Sequence, residues 1–92
     1  MRYRLTAQIE AILKVDDAFN WYEDQQPGLG DKFIEEVEVC YEHLRVNPWR
    51  YSFINHQYRR IKTNRFPYII MYEIEGDTVI VTNVRHTKQK PL

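Results

Sequence analysis

The stretch FPYIIMYEIEGDTVIVTNVRH, residues 66–86, decides the fold of this chain. Large apolar side chains occupy every second position from Tyr68 to Ile74, which is the period of a β-strand with two distinct faces. The run breaks around Gly76, and β-branched residues resume at Thr78. We therefore predict a β-hairpin in which Gly76 supplies the positive φ of a tight turn. Because both arms are apolar on each face, we expect the hairpin to lie at the centre of its sheet.

The residues before the hairpin predict a strand, two helices and a further strand. Polar and apolar residues alternate over positions 2–10, which indicates a first strand, and Tyr58 to Lys62 alternate in the same way. Between them, two apolar stripes recur at helical spacing and are separated by Pro27-Gly28. The stripes are Ala11, Val15, Ala18, Phe19 and Tyr22, then Leu29, Phe33, Val37, Cys40 and Leu44. The predicted fold class is α+β in the order β-α-α-β-β-β, an antiparallel sheet with an N-terminal helical hairpin packed on one face.

Length and charge limit the possible classes of protein. Ninety-two residues predict one domain, residues 1–92, with a single two-layer core. Thirteen basic residues balance thirteen acidic ones, but residues 43–72 contain five arginines, one lysine and no carboxylate. The positive charge of that segment either faces a polyanion or balances the negative charge of the acidic helices within the fold. Charge alone leaves both alternatives open.

Several classes of site are excluded by residue usage. Cys40 is the only cysteine and lies on an apolar stripe, so we expect a buried, inert thiol, no disulfide and a reducing, cytoplasmic location. The three histidines lack the spacing of a metal site, and Gly28-Leu29-Gly30 lacks the context of a phosphate loop. No apolar run approaches the roughly 20 residues of a membrane span. We expect no cofactor, no metal and no membrane association.

Basic side chains gather at the ends of two predicted strands. They are Arg59, Arg60, Lys62 and Arg65, then Arg85, His86 and Lys88. If the sheet brings them to one surface, that surface could bind phosphates, and a histidine could act as proton carrier in RNA cleavage through the ribose 2′-hydroxyl. Alternatively, the basic side chains pair with the acidic helices or with an acidic partner. Trp21 lies off the main apolar stripe, where it is either the edge of the core or a partner contact.

A set of short motifs is distributed over nearly the whole chain. In chain order they are Ala11, Val15, Ala18, Trp21-Tyr22, Leu29-Gly30-Asp31-Lys32-Phe33, Asn47-Pro48, Arg60, Arg65-Phe66-Pro67-Tyr68, Met71-Tyr72, Val84-Arg85-His86 and Pro91. In this order and spacing they resemble the RelE/ParE superfamily of bacterial type II toxin-antitoxin toxins. The resemblance implies a small toxin neutralised by a cognate antitoxin. RelE-branch members cleave mRNA in the ribosome, whereas ParE-branch members inhibit DNA gyrase.

The chain departs from the RelE pattern at one position. RelE-type enzymes place an arginine after the tyrosine that enters the hairpin, whereas Ile69 follows Tyr68 here. The resemblance therefore favours a ParE-like plasmid-stabilisation toxin that binds DNA gyrase. The alternatives are a ribosome-dependent mRNA endoribonuclease and a degenerate, non-toxic member that only binds its antitoxin. The candidate catalytic residues of a ribonuclease are Arg60, Lys62, Arg85 and His86. The residues expected to bind partners are Trp21, Trp49, Arg59, Arg65 and Lys88.

Overall fold

A computed structural model describes residues 2–88 of the chain, and its elements follow the predicted order. They are strand β1 (Arg4–Ala7), helix α1 (Ile9–Gln25), helix α2 (Leu29–Val46), a 3-10 turn (Pro48–Arg50), and strands β2 (Arg59–Lys62), β3 (Tyr68–Glu75) and β4 (Thr78–His86). The α+β class is confirmed. Pro91, the last motif of the family resemblance, lies outside the described residues.

The four strands form one mixed sheet in the order β1-β4-β3-β2. The hairpin β3–β4 lies at its centre, as the apolar character of both arms predicts. Strands β2 and β4 are antiparallel to β3, whereas β1 runs parallel to β4. Two helices and two strands separate β1 from β4, and such a long connection permits parallel pairing. The predicted antiparallel sheet therefore includes one parallel pair.

A β-bulge in the hairpin turns two valines toward the helices. Met71 is opposite Asn83 and Tyr72 is opposite Val81, so β4 contributes one extra residue at this point. Val81 and Val84 are an odd number of positions apart and would otherwise point to opposite faces. Because of the bulge, both can be buried, and their exposed fractions are 0% and 1%. Gly76 in the turn has a φ of 61°, as predicted.

The core lies between the helices and one face of the sheet. All residues of the second apolar stripe except Leu29 are buried, and Ala11 and Ala18 of the first stripe are buried beside them. Phe33 packs among rings, with its centroid 5.5 Å from those of Tyr22 and Phe66 and 5.0 Å from that of Tyr68. The two helical stripes thus pack as their spacing predicts.

Glu23 closes the helical hairpin. Its carboxylate accepts hydrogen bonds from the Gly28 N–H, at 3.1 Å to each oxygen, and from the Gly30 N–H at 2.9 Å. These N–H groups belong to the start of α2, where an anion also interacts favourably with the helix dipole. Gly28 has a φ of 89°, which residues other than glycine rarely adopt. Glu23 therefore has a structural role at the start of α2.

Candidate functional site

A row of three residues crosses the sheet on the face opposite the helices, which we call the open face. Lys62 of β2 is opposite Ile69 of β3, and Ile69 is opposite Arg85 of β4. Arg60 lies on the same face two residues before Lys62. The adjacent row is buried under the helices and consists of Ile61, Ile70 and Val84. The sheet thus places Arg60, Lys62 and Arg85 on one surface, with Ile69 between Lys62 and Arg85.

His86 lies on the other side of the sheet. Its ring packs edge-on against Tyr68, with 5.2 Å between centroids, and lines a cleft next to α1. Its Nδ1 accepts a hydrogen bond from the backbone N–H of Lys88 at 3.0 Å. The expectation of one shared basic surface therefore does not hold for His86. The reason is that consecutive residues of a strand point to opposite faces, so Arg85 and His86 diverge.

The cleft beside His86 has a volume of about 640 Å³. Trp21 forms part of its wall and packs edge-on against Tyr22, with 5.2 Å between ring centroids. The Trp21 side chain is 59% exposed, so it lies at the rim of the cleft and not in the core. Lys14 and Asp17 add one charge of each sign. A cleft of this composition suits an amphipathic segment better than a strongly charged ligand.

Trp49, Phe53 and Arg59 form a layered surface cluster, which we call the aromatic platform. The Arg59 guanidinium lies 5.3 Å from the Trp49 ring centroid and 4.1 Å from that of Phe53. It donates hydrogen bonds to the backbone oxygens of Tyr51 at 2.6 Å and Trp49 at 3.3 Å. Arg59 thus organises the segment before β2. Sequence reasoning missed Phe53, although the concentration of aromatic residues at positions 49–53 was a usable signal.

Arg65 is engaged by the second helix through Glu36. The Glu36 carboxylate accepts the backbone N–H of Arg65 at 2.8 Å and that of Phe66 at 3.2 Å, and it lies 3.4 Å from the Arg65 Nε. Arg65 therefore pairs with an acidic residue of α2 while its side chain stays 81% exposed, and its predicted role in partner binding stays a prediction. Lys88 is exposed at the end of the described residues.

A comparison with family models gives the decisive match. The model of the ParE toxin of the type II toxin-antitoxin system parDE matches residues 3–91. The chain belongs to the ParE toxin family. It is thus a type II toxin by family, which confirms the resemblance to the RelE/ParE superfamily. A search of curated protein sequences finds no match.

Solved structures support the fold of this ParE-family chain. A chain from the chromosomal ParDE system of P. aeruginosa is 12% identical and superposes with a TM-score of 0.82, covering 95% of this chain and 98% of that chain. A chain of the RelBE2 toxin-antitoxin complex of Mycobacterium tuberculosis is 17% identical, with a TM-score of 0.64 and coverages of 94% and 99%. A chain of the RelE-RelB complex of Pyrococcus horikoshii is 10% identical, with a TM-score of 0.50 and coverages of 98% and 100%. At these identities, the likeness shows the fold alone.

The single cysteine of this ParE-family chain belongs to the core. Cys40 is buried, and its Sγ–H points to the Lys62 carbonyl oxygen at 3.8 Å. Burial, assisted by the nearby Glu36 carboxylate, raises the pKa of the Cys40 thiol to about 11, so the thiol is protonated at neutral pH. Within residues 2–88, no three His, Cys, Asp or Glu side chains are grouped to hold a metal ion. The same residues contain no helix that is long and apolar enough to cross a membrane.

Proposed function

We propose that this ParE-family toxin inhibits DNA gyrase by binding it, without chemistry of its own, and that a cognate antitoxin neutralises it. The observation that carries the proposal is the separation of His86 from the basic open face. Arg85 belongs to the row with Lys62 and Ile69, whereas His86 packs against Tyr68 on the opposite side of the sheet.

Metal-independent RNA cleavage needs a proton carrier and cationic groups around the same phosphate. The open face supplies the cations Arg60, Lys62 and Arg85, but the histidine expected to carry the proton is directed away from them. Ile69 occupies the middle of the row, where adjacent strands place side chains only about 5 Å apart. An aliphatic side chain there neither binds phosphate nor transfers a proton. A ribosome-dependent ribonuclease is therefore the weaker alternative.

The antitoxin part of the proposal is supported by unpartnered apolar surface on α1. Ile9, Ile12 and Leu13 are 60%, 45% and 54% exposed and lie within about one helical turn of one another. Neighbouring exposed apolar side chains of this kind mark protein interaction sites. The similar RelBE2 structure is a toxin-antitoxin complex, and the similar structure from Pyrococcus horikoshii is a RelE-RelB complex. We propose that an antitoxin covers this patch, and that toxin, antitoxin and gyrase meet in the cytoplasm.

Two assays run in parallel test the target. The purified protein is added to gyrase with relaxed plasmid, and separately to ribosomes programmed with mRNA. We expect loss of supercoiling without mRNA cleavage, and we expect His86→Ala to inhibit gyrase as well as the wild type. If the protein cleaved mRNA, left gyrase untouched, and lost cleavage on His86→Ala, the proposal would be wrong. If neither activity appeared and expression did not slow growth, the chain would be a non-toxic member of its family.

A further inference from the structure

We propose that the aromatic platform of Trp49, Phe53 and Arg59 is the surface through which this toxin binds an acidic patch on its target protein. The inference rests on the proposed function, under which the target is DNA gyrase. It adds the location of the contact and the chemistry of the surface that it recognises.

The platform is exposed and yet held in place. Trp49 and Phe53 are each 55% exposed, although large aromatic rings are usually covered. The Trp49 indole N–H donates to the Tyr3 hydroxyl at 2.7 Å. The Arg59 guanidinium lies over both rings and donates a hydrogen bond to the Tyr51 backbone oxygen. Side chains fixed before binding lose little conformational entropy in a complex. Exposed tryptophan and arginine are also the residue types that contribute most at protein interfaces.

Charge identifies the kind of partner. Residues 43–72, which contain the whole platform, carry no carboxylate. Of their five arginines, Arg45 and Arg65 pair with carboxylates of α2, whereas Arg50 and Arg59 lie at the platform. Arg50 is exposed and lies over the Tyr51 ring at 5.8 Å from its centroid, next to the platform. The Arg59 guanidinium donates hydrogen bonds to two backbone oxygens, which carry no formal charge to neutralise an arginine. A partner must therefore cover two aromatic rings and complement a positive potential, which fits an acidic protein surface with apolar side chains at its centre.

A nucleic acid fits the same surface less well. Single-stranded nucleic acid is bound by free ring faces on which bases stack and by cations directed at phosphates. Here, the guanidinium covers one side of each ring, and its hydrogen bonds go to the backbone oxygens of Tyr51 and Trp49. The chain also has a net charge of zero, whereas nucleic-acid binders are typically strongly basic.

The test compares variants of the full chain in the gyrase supercoiling assay. The platform variant is Trp49→Ala with Phe53→Ala. The control is Val39→Ala with Val46→Ala, which removes apolar side chains of similar exposure, 55% and 58%, from α2. Circular dichroism and thermal unfolding establish that each variant folds. We expect the platform variant to need roughly thirtyfold more protein for half-inhibition, as removal of an interface hot spot does. We expect the control to stay within about twofold of the wild type.

A second pair of variants tests the acidic character of the partner. Arg50→Glu is expected to weaken inhibition about tenfold, whereas Lys32→Glu, the same charge reversal on an exposed residue of α2, is not. Inhibition by the wild type is also expected to weaken with added salt.

The outcomes separate this inference from the proposed function. If the wild type left gyrase active, both would be overturned. If the wild type inhibited gyrase and the folded platform variant inhibited it equally well, only the inference would fail. It would also fail if the platform variant kept inhibition but lost binding of the antitoxin, or if the platform proved to bind the plasmid DNA in a gel-shift assay without gyrase.

Discussion

Replacing Gly30 by alanine tests how closely the two helices approach each other. A Cβ at this position would lie 2.8 Å from the Phe19 carbonyl oxygen, 2.8 Å from the Phe19 Cδ1 and 2.9 Å from the Glu23 Oε1. The Phe19 oxygen belongs to the backbone of α1, so it cannot rotate away as a flexible side chain would. The helices must therefore separate near Phe19, and the Glu23 carboxylate must also leave the Gly30 N–H, from which it accepts a hydrogen bond at 2.9 Å.

The expected change in the free energy of unfolding has two destabilising contributions and one stabilising contribution. Overpacking of this kind costs about 1–3 kcal/mol. Loss of a hydrogen bond to the Glu23 carboxylate costs about 1.5–3 kcal/mol. Alanine is the better helix former, which returns up to about 1 kcal/mol. We expect a net destabilisation of about 1.5–6 kcal/mol, which for a chain of this size lowers the melting temperature by at least about 6 °C.

Thermal and urea unfolding of Gly30→Ala measure this loss, and Gly76→Ala is the control. Gly76, unlike Gly30, has a positive φ of 61°, but a Cβ there would meet no atom within 4 Å. Its replacement should cost only about 1–2 kcal/mol of backbone strain. If Gly30→Ala were as stable as the wild type or more stable, the close packing of α1 on α2 at Phe19 would be wrong.

Four further predictions concern Tyr72, Cys40 and Glu36. Tyr72→Phe removes the hydrogen bond that the hydroxyl donates to the Pro48 oxygen at 2.6 Å, and urea unfolding should show a loss of about 1–2 kcal/mol. Burial raises the Tyr72 pKa from 10.0 to about 12, so the folded state holds the hydroxyl proton more tightly than the unfolded chain does. The free energy of unfolding should therefore fall as the pH rises from 10.0 to about 12, and it should fall less in Tyr72→Phe. Cys40 in the native protein should react with a thiol reagent roughly a hundredfold more slowly than Cys40 in the urea-unfolded chain, because burial raises the thiol pKa from 9.0 to about 11. Equal reaction rates would refute the burial of Cys40. Glu36→Ala should lower the free energy of unfolding by about 1–2 kcal/mol and speed hydrogen exchange of the Arg65 amide. Unchanged exchange would exclude the hydrogen bond from the Arg65 N–H to Glu36.

Local periodicity was sufficient to predict the helices and the hairpin. The helical stripes and the alternation in β3 repeat within a few residues, and each pattern selects one type of element. The direction of β1 relative to β4 has no such local signal, because an alternating strand looks the same beside a parallel or an antiparallel neighbour. The bulge at Met71 and Tyr72 likewise depends on which valines of β4 fit under the helices.

The candidate site was predictable in part. The sequence identified Ile69 as the position that departs from the RelE pattern, and pairing then placed it between Lys62 and Arg85. The opposite directions of Arg85 and His86 follow from strand alternation alone. By contrast, the hydrogen bond from the Arg65 N–H to the Glu36 carboxylate joins residues that are 29 positions apart. The spacing of residues along the sequence does not predict contacts at that separation.

The most direct test of the proposed function is gyrase supercoiling measured with the toxin alone and with the toxin first bound to its antitoxin. Relaxed plasmid, purified gyrase and ATP are mixed with increasing toxin, and the supercoiled product is resolved on a gel. We predict that the toxin alone abolishes supercoiling and that an equimolar amount of the co-expressed antitoxin restores it. Full supercoiling in the presence of excess folded toxin would contradict the assignment of gyrase as its target.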